Sequence, residues 1–239
     1  MLSTVTRPNA VAGAAHRREH HSLLAAAEKR LLVAIAGRLP AWVTSDLLSA
    51  VGLASMCAAG ASFALFRITP HAGWLVVVAL AANWFGDSLD GTVARVRRHE
   101  RPRYGFYVDH VIDLAGAVFL LIGLALSGLM SPVVALGLLV AFLLVSAETY
   151  LSTASTGVFK LSFAGVGPTE LRLLLVAGAL RAMTGQLVSM PWGDMRLFDV
   201  GGLAGAAGLC ATFVVAAARQ TYALYRAEPL PSEANRRRP

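Results

Sequence analysis

The sequence predicts an all-α membrane protein: a six-transmembrane-helix bundle preceded by an N-terminal amphipathic juxtamembrane helix. Three observations predict it. Of the 239 residues, 56% are hydrophobic and only 15% charged, where a soluble domain carries about a quarter charged residues. The apolar residues come in uninterrupted blocks, and a bilayer-crossing helix needs roughly 20 in a row. The basic residues gather between those blocks, on one side far more than on the other.

The elements follow in chain order. Residues 22–37 place Leu24, Ala27, Leu31 and Ile35 at helical spacing with Lys29 and Arg30 between them, the pattern of a helix lying on the membrane surface. Arg7, Arg17 and Arg18 precede it without an apolar core, so this start does not read as a cleavable signal. The charge-free run Leu47 to Phe66 predicts a first span near 42–66. The second and third, near 71–95 and 104–129, flank a basic loop. Leu114 to Ala147 is again free of charge and is divided by Ser131-Pro132, which ends the third span and opens a fourth near 132–158. The fifth is expected near 170–190 with Arg181 inside it, and the sixth near 198–222. The turns are short, so residues 41–225 form one membrane domain between a cytoplasmic segment, 1–40, and a basic tail, 226–239.

With six spans both termini share a side, and that side receives 18 of the 21 Lys and Arg residues. The other receives Arg67 and Arg196. Both termini are therefore expected in the cytoplasm, in an integral multi-pass protein of the inner or plasma membrane. The net charge of +7 follows from this bias and from contact with anionic lipid. No soluble domain exists to present a nucleic-acid-binding face. Cys57 and Cys210 fall within spans and read as small core residues.

The chemistry-bearing stretch runs from Asp87 through Asp90, Gly91, Ala94 and Arg95, then from Gly105 to Asp109 and Asp113. Asp87 and Asp90 are three residues apart and share a face of the second span; Asp109 and Asp113, four apart, share a face of the third. The short loop makes these spans antiparallel neighbours, so four carboxylates converge near the cytoplasmic boundary. Such a cluster needs positive charge among it, and an all-oxygen set suits Mg²⁺, Mn²⁺ or Ca²⁺. Two such ions would clamp a diphosphate. Gly91 and Ala94 leave room for a nucleotide, and Arg95 offers a fork for phosphate oxygens. An ion or proton transport site is the competing reading of charged groups within spans. No inverted repeat or broken helix supports it, and the cluster lies at one edge instead of the midplane.

The pattern D-x2-D-G-x2-A-R-x9-G-x3-D-x3-D resembles the signature of the CDP-alcohol phosphotransferases, matching all eight of its fixed positions in order. The resemblance implies that Asp87, Asp90 and Asp109 ligate the metals, and that Asp113 joins them and also serves as base for the acceptor hydroxyl. It implies that Gly91, Ala94, Arg95 and Gly105 line the CDP pocket. The family usually opens its first span with a Pro-Asn-x-x-Thr-like sequence; here the equivalent is Ser45-Asp46-Leu47-Leu48-Ser49, which adds Asp46 and Ser49 to that pocket. A helix cap is the plainer reading of those two residues. The resemblance also implies a homodimer.

The donor and acceptor are less constrained. One branch of the family uses CDP-diacylglycerol and a small polar alcohol; another uses a CDP-amino alcohol and diacylglycerol. His110 resembles the Asp-His pairing of the amino-alcohol branch, or orients a neighbouring ligand. Lys160 and Arg172 flank the turn between the fourth and fifth spans and suit an acceptor phosphate, although the positive-inside bias alone would place them there. Glu148 and Arg181 both fall roughly 15 Å deep, at about 1.5 Å per residue. An ion pair between the fourth and fifth spans is the expected remedy for two charges at that depth, and acceptor binding by Arg181 is the other.

Overall fold

The computed structural model describes residues 25–157, 167–191 and 193–228. It contains seven α-helices: α1 (Ala25–Arg38), α2 (Ser45–Ala64), α3 (Ala72–Val96), α4 (Pro102–Ser127), α5 (Pro132–Thr156), α6 (Pro168–Thr184) and α7 (Leu197–Ala227). A hairpin, β1 (Leu187–Met190) and β2 (Gly193–Arg196), joins the last two.

Helix ends sit where the sequence provides stops. Thr44 caps α2 by accepting the Leu47 N–H at 3.2 Å, and prolines open α4, α5 and α6, where a missing N–H costs nothing. α4 and α5 end on glycines in the left-handed region, Gly128 (φ 80°) and Gly157 (φ 71°).

The membrane all-α class holds, but the count of six spans needs correction. Five helices, α2 to α5 and α7, are long and apolar enough to cross a bilayer. α6, matching the expected fifth span, has 17 residues. Arg181 and Gly185 end it, and residues 187–190 pair antiparallel with 193–196 in place of further helix. α6 still runs antiparallel along α3: Arg172 reaches Asn83 and Asp87 near one end, and Met183 meets Gly73 near the other. α7 runs parallel to α5, with Asp199 accepting the Ser131 N–H at 2.6 Å and Gly202 against Val134.

α2 is the central element. It packs closely on both α3 and α4, which face one another across the aspartates. Both crossings are backbone-close. A Cβ at Gly86 would lie 2.6 Å from the Gly52 nitrogen, and one at Gly123 would lie 2.0 Å from the Gly60 oxygen. Small residues are what such approach requires. The main core, with Phe63, Val76, Leu80, Leu124 and Leu129 fully buried, fills the end away from the aspartates.

α1 docks at the opposite end. It buries Leu32 and Ala36, with Ile35 partly covered, against Val43, Leu48, Leu89 and Val93. The expected stripe is therefore rotated, since Leu31 is half exposed. Glu28 draws the helix onto the bundle, accepting the Trp84 indole N–H of α3 at 2.8 Å and the Thr169 hydroxyl of α6 at 3.2 Å.

Candidate active site

α3 carries Asp87 and Asp90 on one face, and α4 carries Asp109 and Asp113 a turn apart. Three of these carboxylates converge: Asp87, Asp109 and Asp113 each offer an oxygen within 4.8 Å of the others. Asp87 and Asp109 are partly buried and Asp113 is exposed. Asp90 stands beside the group and is held from two sides, Oδ2 accepting the Ser49 hydroxyl at 2.7 Å and Oδ1 accepting the Gly91 N–H.

Arg172 enters from α6. Its Nη2 donates to Asp87 Oδ2 at 2.5 Å and its Nε to Asn83 Oδ1 at 2.7 Å. Asn83 is buried and donates its Nδ2 to the Gly52 carbonyl at 2.9 Å. On the far side of the acids, His110 bonds the Phe106 carbonyl through Nδ1 at 2.6 Å and meets Tyr150 of α5 edge-on, with ring centroids 5.4 Å apart. Tyr150 in turn lies within electrostatic reach of Asp113 and Asp109.

A cavity of about 550 Å³ opens beyond these acids, between the start of α2 and the end of α3. Ser45, Asp46, Val93, Ala94, Arg97 and Arg101 line it, among others. Ala94 lies about 10 Å along α3 from Asp87, at about 1.5 Å per residue. Arg97 fixes one wall by donating to four carbonyls of the α1–α2 loop, those of Leu39, Pro40, Ala41 and Val43. Asp46 pairs with Arg101 across the mouth. This hydrogen bond raises the Arg101 pKa above its ordinary value and offsets the negative charge that Asp46 brings.

A family model described as CDP-alcohol phosphatidyltransferase matches residues 42–222. The chain belongs to that family. It is a phosphotransferase of phospholipid biosynthesis, and the apolar helices make it an integral membrane enzyme. A crystal structure of Mycobacterium tuberculosis phosphatidylinositol phosphate synthase with CDP-DAG bound is similar, with a TM-score of 0.51 and 19% identity over 82% of this chain and 92% of that one. At that identity the likeness is one of fold. No curated protein matches the sequence.

The transferase's expected site residues divide accordingly. Asp87, Asp109 and Asp113 come together, with Asp90, Ser49 and Arg172 around them. Three hard oxygens from two helices fit Mg²⁺ or Mn²⁺, for which the family is generally a divalent-metal user. Asp46 and Ala94 line the cavity. Arg95 folds back on its own helix, donating to Thr92 Oγ1 at 3.1 Å, and its Nη1 lies 3.1 Å from a Cβ built at Gly91. Among the described residues, nothing beyond its own turn lies within 4 Å of a Cβ built at Gly105, so packing does not demand glycine there. Lys160 lies outside the described residues.

Arg181 is the clear departure. It sits in the last turn of α6, exposed, and donates to the Gly185 carbonyl at 2.7 Å, far along the helix from Arg172. The expected pair with Glu148 does not form, because Arg181 turns back on Gly185 and α6 packs chiefly on α3. Among the described residues Glu148 has no ion-pair partner. Sequence reasoning also missed Asn83 and Tyr150. Nothing local distinguished either, since Asn83 is marked only by its bonds to Gly52 of α2 and Arg172 of α6.

Proposed function

We propose that this enzyme transfers a phosphatidyl group from CDP-diacylglycerol to a small polar alcohol at the cytoplasmic face, releasing CMP. The observation that carries the reading is the cavity of about 550 Å³ opening beyond the Asp87–Asp109–Asp113 cluster, within the few hundred Å³ usual for ligand sites. A cytidine in the cavity, against Asp46 and Ala94, would bring its diphosphate down past Gly91 and Ser49 to the acids. Arg95, on the adjacent turn, is close enough to swing onto a phosphate. Gly105, exposed at the start of α4, leaves the approach open.

Asp87, Asp90, Asp109 and Asp113 would hold a pair of divalent ions, Mg²⁺ or Mn²⁺, which neutralise charge on the entering and leaving oxygens when bound. The acceptor oxygen attacks the donor's β-phosphorus in line, the bond from that phosphorus to the CMP oxygen breaks, and the hydroxyl proton passes to Asp113. Ser49 keeps the Asp90 oxygens aimed. Arg172 and Lys160 suit an anionic acceptor or the diphosphate, and His110 orients Asp109 beside it. Residues 41–225 are the catalytic unit, between a cytoplasmic segment and a basic tail, and two copies associate as a homodimer.

CMP release by the purified protein tests this directly. Release is expected from CDP-diacylglycerol with a small polar alcohol, only with Mg²⁺ or Mn²⁺ present. Release from CDP-choline or CDP-ethanolamine with diacylglycerol instead would transfer the enzyme to the amino-alcohol branch. Release unaffected by a chelator would overturn the metal assignment.

A further inference from the structure

Arg172 bonds directly to the acidic cluster through Asp87. Its side chain is 15% exposed and that of Asp87 is 26% exposed. Such shielding strengthens the attraction over that of a surface pair. Its aim is set from behind. Asn83 has 4% of its surface exposed, and its amide is oriented by chemistry: Nδ2 can only donate, to the Gly52 carbonyl, so Oδ1 faces the Arg172 Nε. Gly52 in turn cannot drift, because α2 and α3 touch backbone to backbone at Gly52 and Gly86. A rigid line therefore runs from α2 through Asn83 to a guanidinium on Asp87.

We infer that Asn83 is a positioning residue that holds Arg172 on Asp87, and that Arg172 is thereby a resident counter-ion of that carboxylate, with which a divalent cation competes. The inference rests on the metal reading proposed above. A guanidinium bonded to one carboxylate of the cluster opposes a second positive charge there by Coulomb repulsion and by occupying an oxygen lone pair. Cation binding then loosens the Arg172–Asp87 bond, and by reciprocity whatever draws Arg172 away from Asp87 tightens cation binding by the same factor. An anionic substrate group that attracts the guanidinium would do so, which couples donor or acceptor binding to metal loading without any motion of the helices.

The full chain in detergent, titrated with Mn²⁺ alone while the free-ion electron paramagnetic resonance signal is followed, measures this without turnover. Arg172→Gln should bind Mn²⁺ about tenfold more tightly than the unaltered protein, within the usual range of site-to-site coupling. Asn83→Ala should shift affinity in the same direction, and the double variant should bind no more tightly than Arg172→Gln alone. Should Asn83→Ala fail to fold, adding guanidinium ion to Arg172→Gln tests the same competition, since it should weaken Mn²⁺ binding again. Unaltered or weaker binding by Arg172→Gln overturns the inference while leaving the metal site standing. Absence of Mn²⁺ binding by the unaltered protein removes both.

Discussion

The Ser49 hydroxyl donates to Asp90 Oδ2 at 2.7 Å, across the contact between α2 and α3. With the Gly91 N–H on Oδ1, this bond fixes Asp90 beside the three-carboxylate group. A hydrogen bond to a charged acceptor contributes about 1.5–3 kcal/mol. Ser49→Ala should therefore lower Tm measurably and, by releasing Asp90, lower kcat for CMP release about tenfold. Ser49→Thr, which keeps the hydroxyl, should retain most activity. Equal losses in both variants would show that packing matters here and not the hydrogen bond.

The acids themselves should be less forgiving. Asp87→Asn, Asp90→Asn, Asp109→Asn and Asp113→Asn preserve volume but remove charge. Each should abolish turnover in a protein that still inserts and elutes as a single folded species. Asp113→Asn is the sharpest of the four, since the amide cannot accept the acceptor's proton. Retention of a tenth of the activity would remove Asp113 from the role of base.

Arg101 and Asp46 are both about half exposed, at 53% and 50% of their side-chain surface, so their pairing adds little stability. Its effect should fall on the donor. Arg101→Gln leaves the Asp46 charge uncompensated at the mouth of the cavity, and the KM for the CDP-linked donor should rise several-fold with little change in kcat. Adding Asp46→Asn should bring KM back toward its starting value. Steady-state kinetics on the two single variants and the double variant decide it.

Where the sequence was read through local rules, it was read well. Uncharged runs marked the helices, Ser131-Pro132 marked the break between α4 and α5, and spacings of three and four put the acids on shared faces. What local rules do not contain is which helices touch. Loop length suggested that α3 and α4 are neighbours, and their aspartates do meet, but nothing local showed that Gly52, Gly60, Gly86 and Gly123 let α2 pack closely on both. Depth counting placed Glu148 opposite Arg181, but α6 ends early and lies on α3, so Arg181 caps its own helix instead. The apolar residues after Arg181 read as continued helix, yet Leu187, Val188 and Met190 form a strand. Arg172 could be flagged by its charge, whereas its partner Asn83 needed the α3–α6 contact to be seen.

Glu28 is the polar tie between α1, α3 and α6. One oxygen accepts from both Trp84 and Thr169, so truncation leaves two donors unmatched. Glu28→Ala should reduce stability by about 1–3 kcal/mol, read as a lower Tm. Glu28→Gln keeps an acceptor oxygen in place and should lose well under half as much. Since Thr169 opens the helix that carries Arg172, Glu28→Ala should also lower turnover further than its Tm alone accounts for.

The α2–α4 crossing offers the plainest test of the architecture. A Cβ at Gly123 would lie 2.0 Å from the Gly60 carbonyl oxygen and one at Gly60 would lie 2.3 Å from the Phe119 oxygen. Both obstacles are backbone, which cannot rotate aside as a side chain can. Gly137, on α5, has nothing among the described residues beyond its own turn within 4 Å of a built Cβ, and alanine there gains helix propensity of about 1 kcal/mol. Gly123→Ala should therefore push α2 and α4 apart, destabilise the protein by several kcal/mol in the manner of an overpacked core, and displace the aspartates of α4 from Asp87. Gly137→Ala should be neutral or slightly stabilising in the same thermal-unfolding assay. If the two alanine variants melt together, α2 and α4 do not cross at backbone contact.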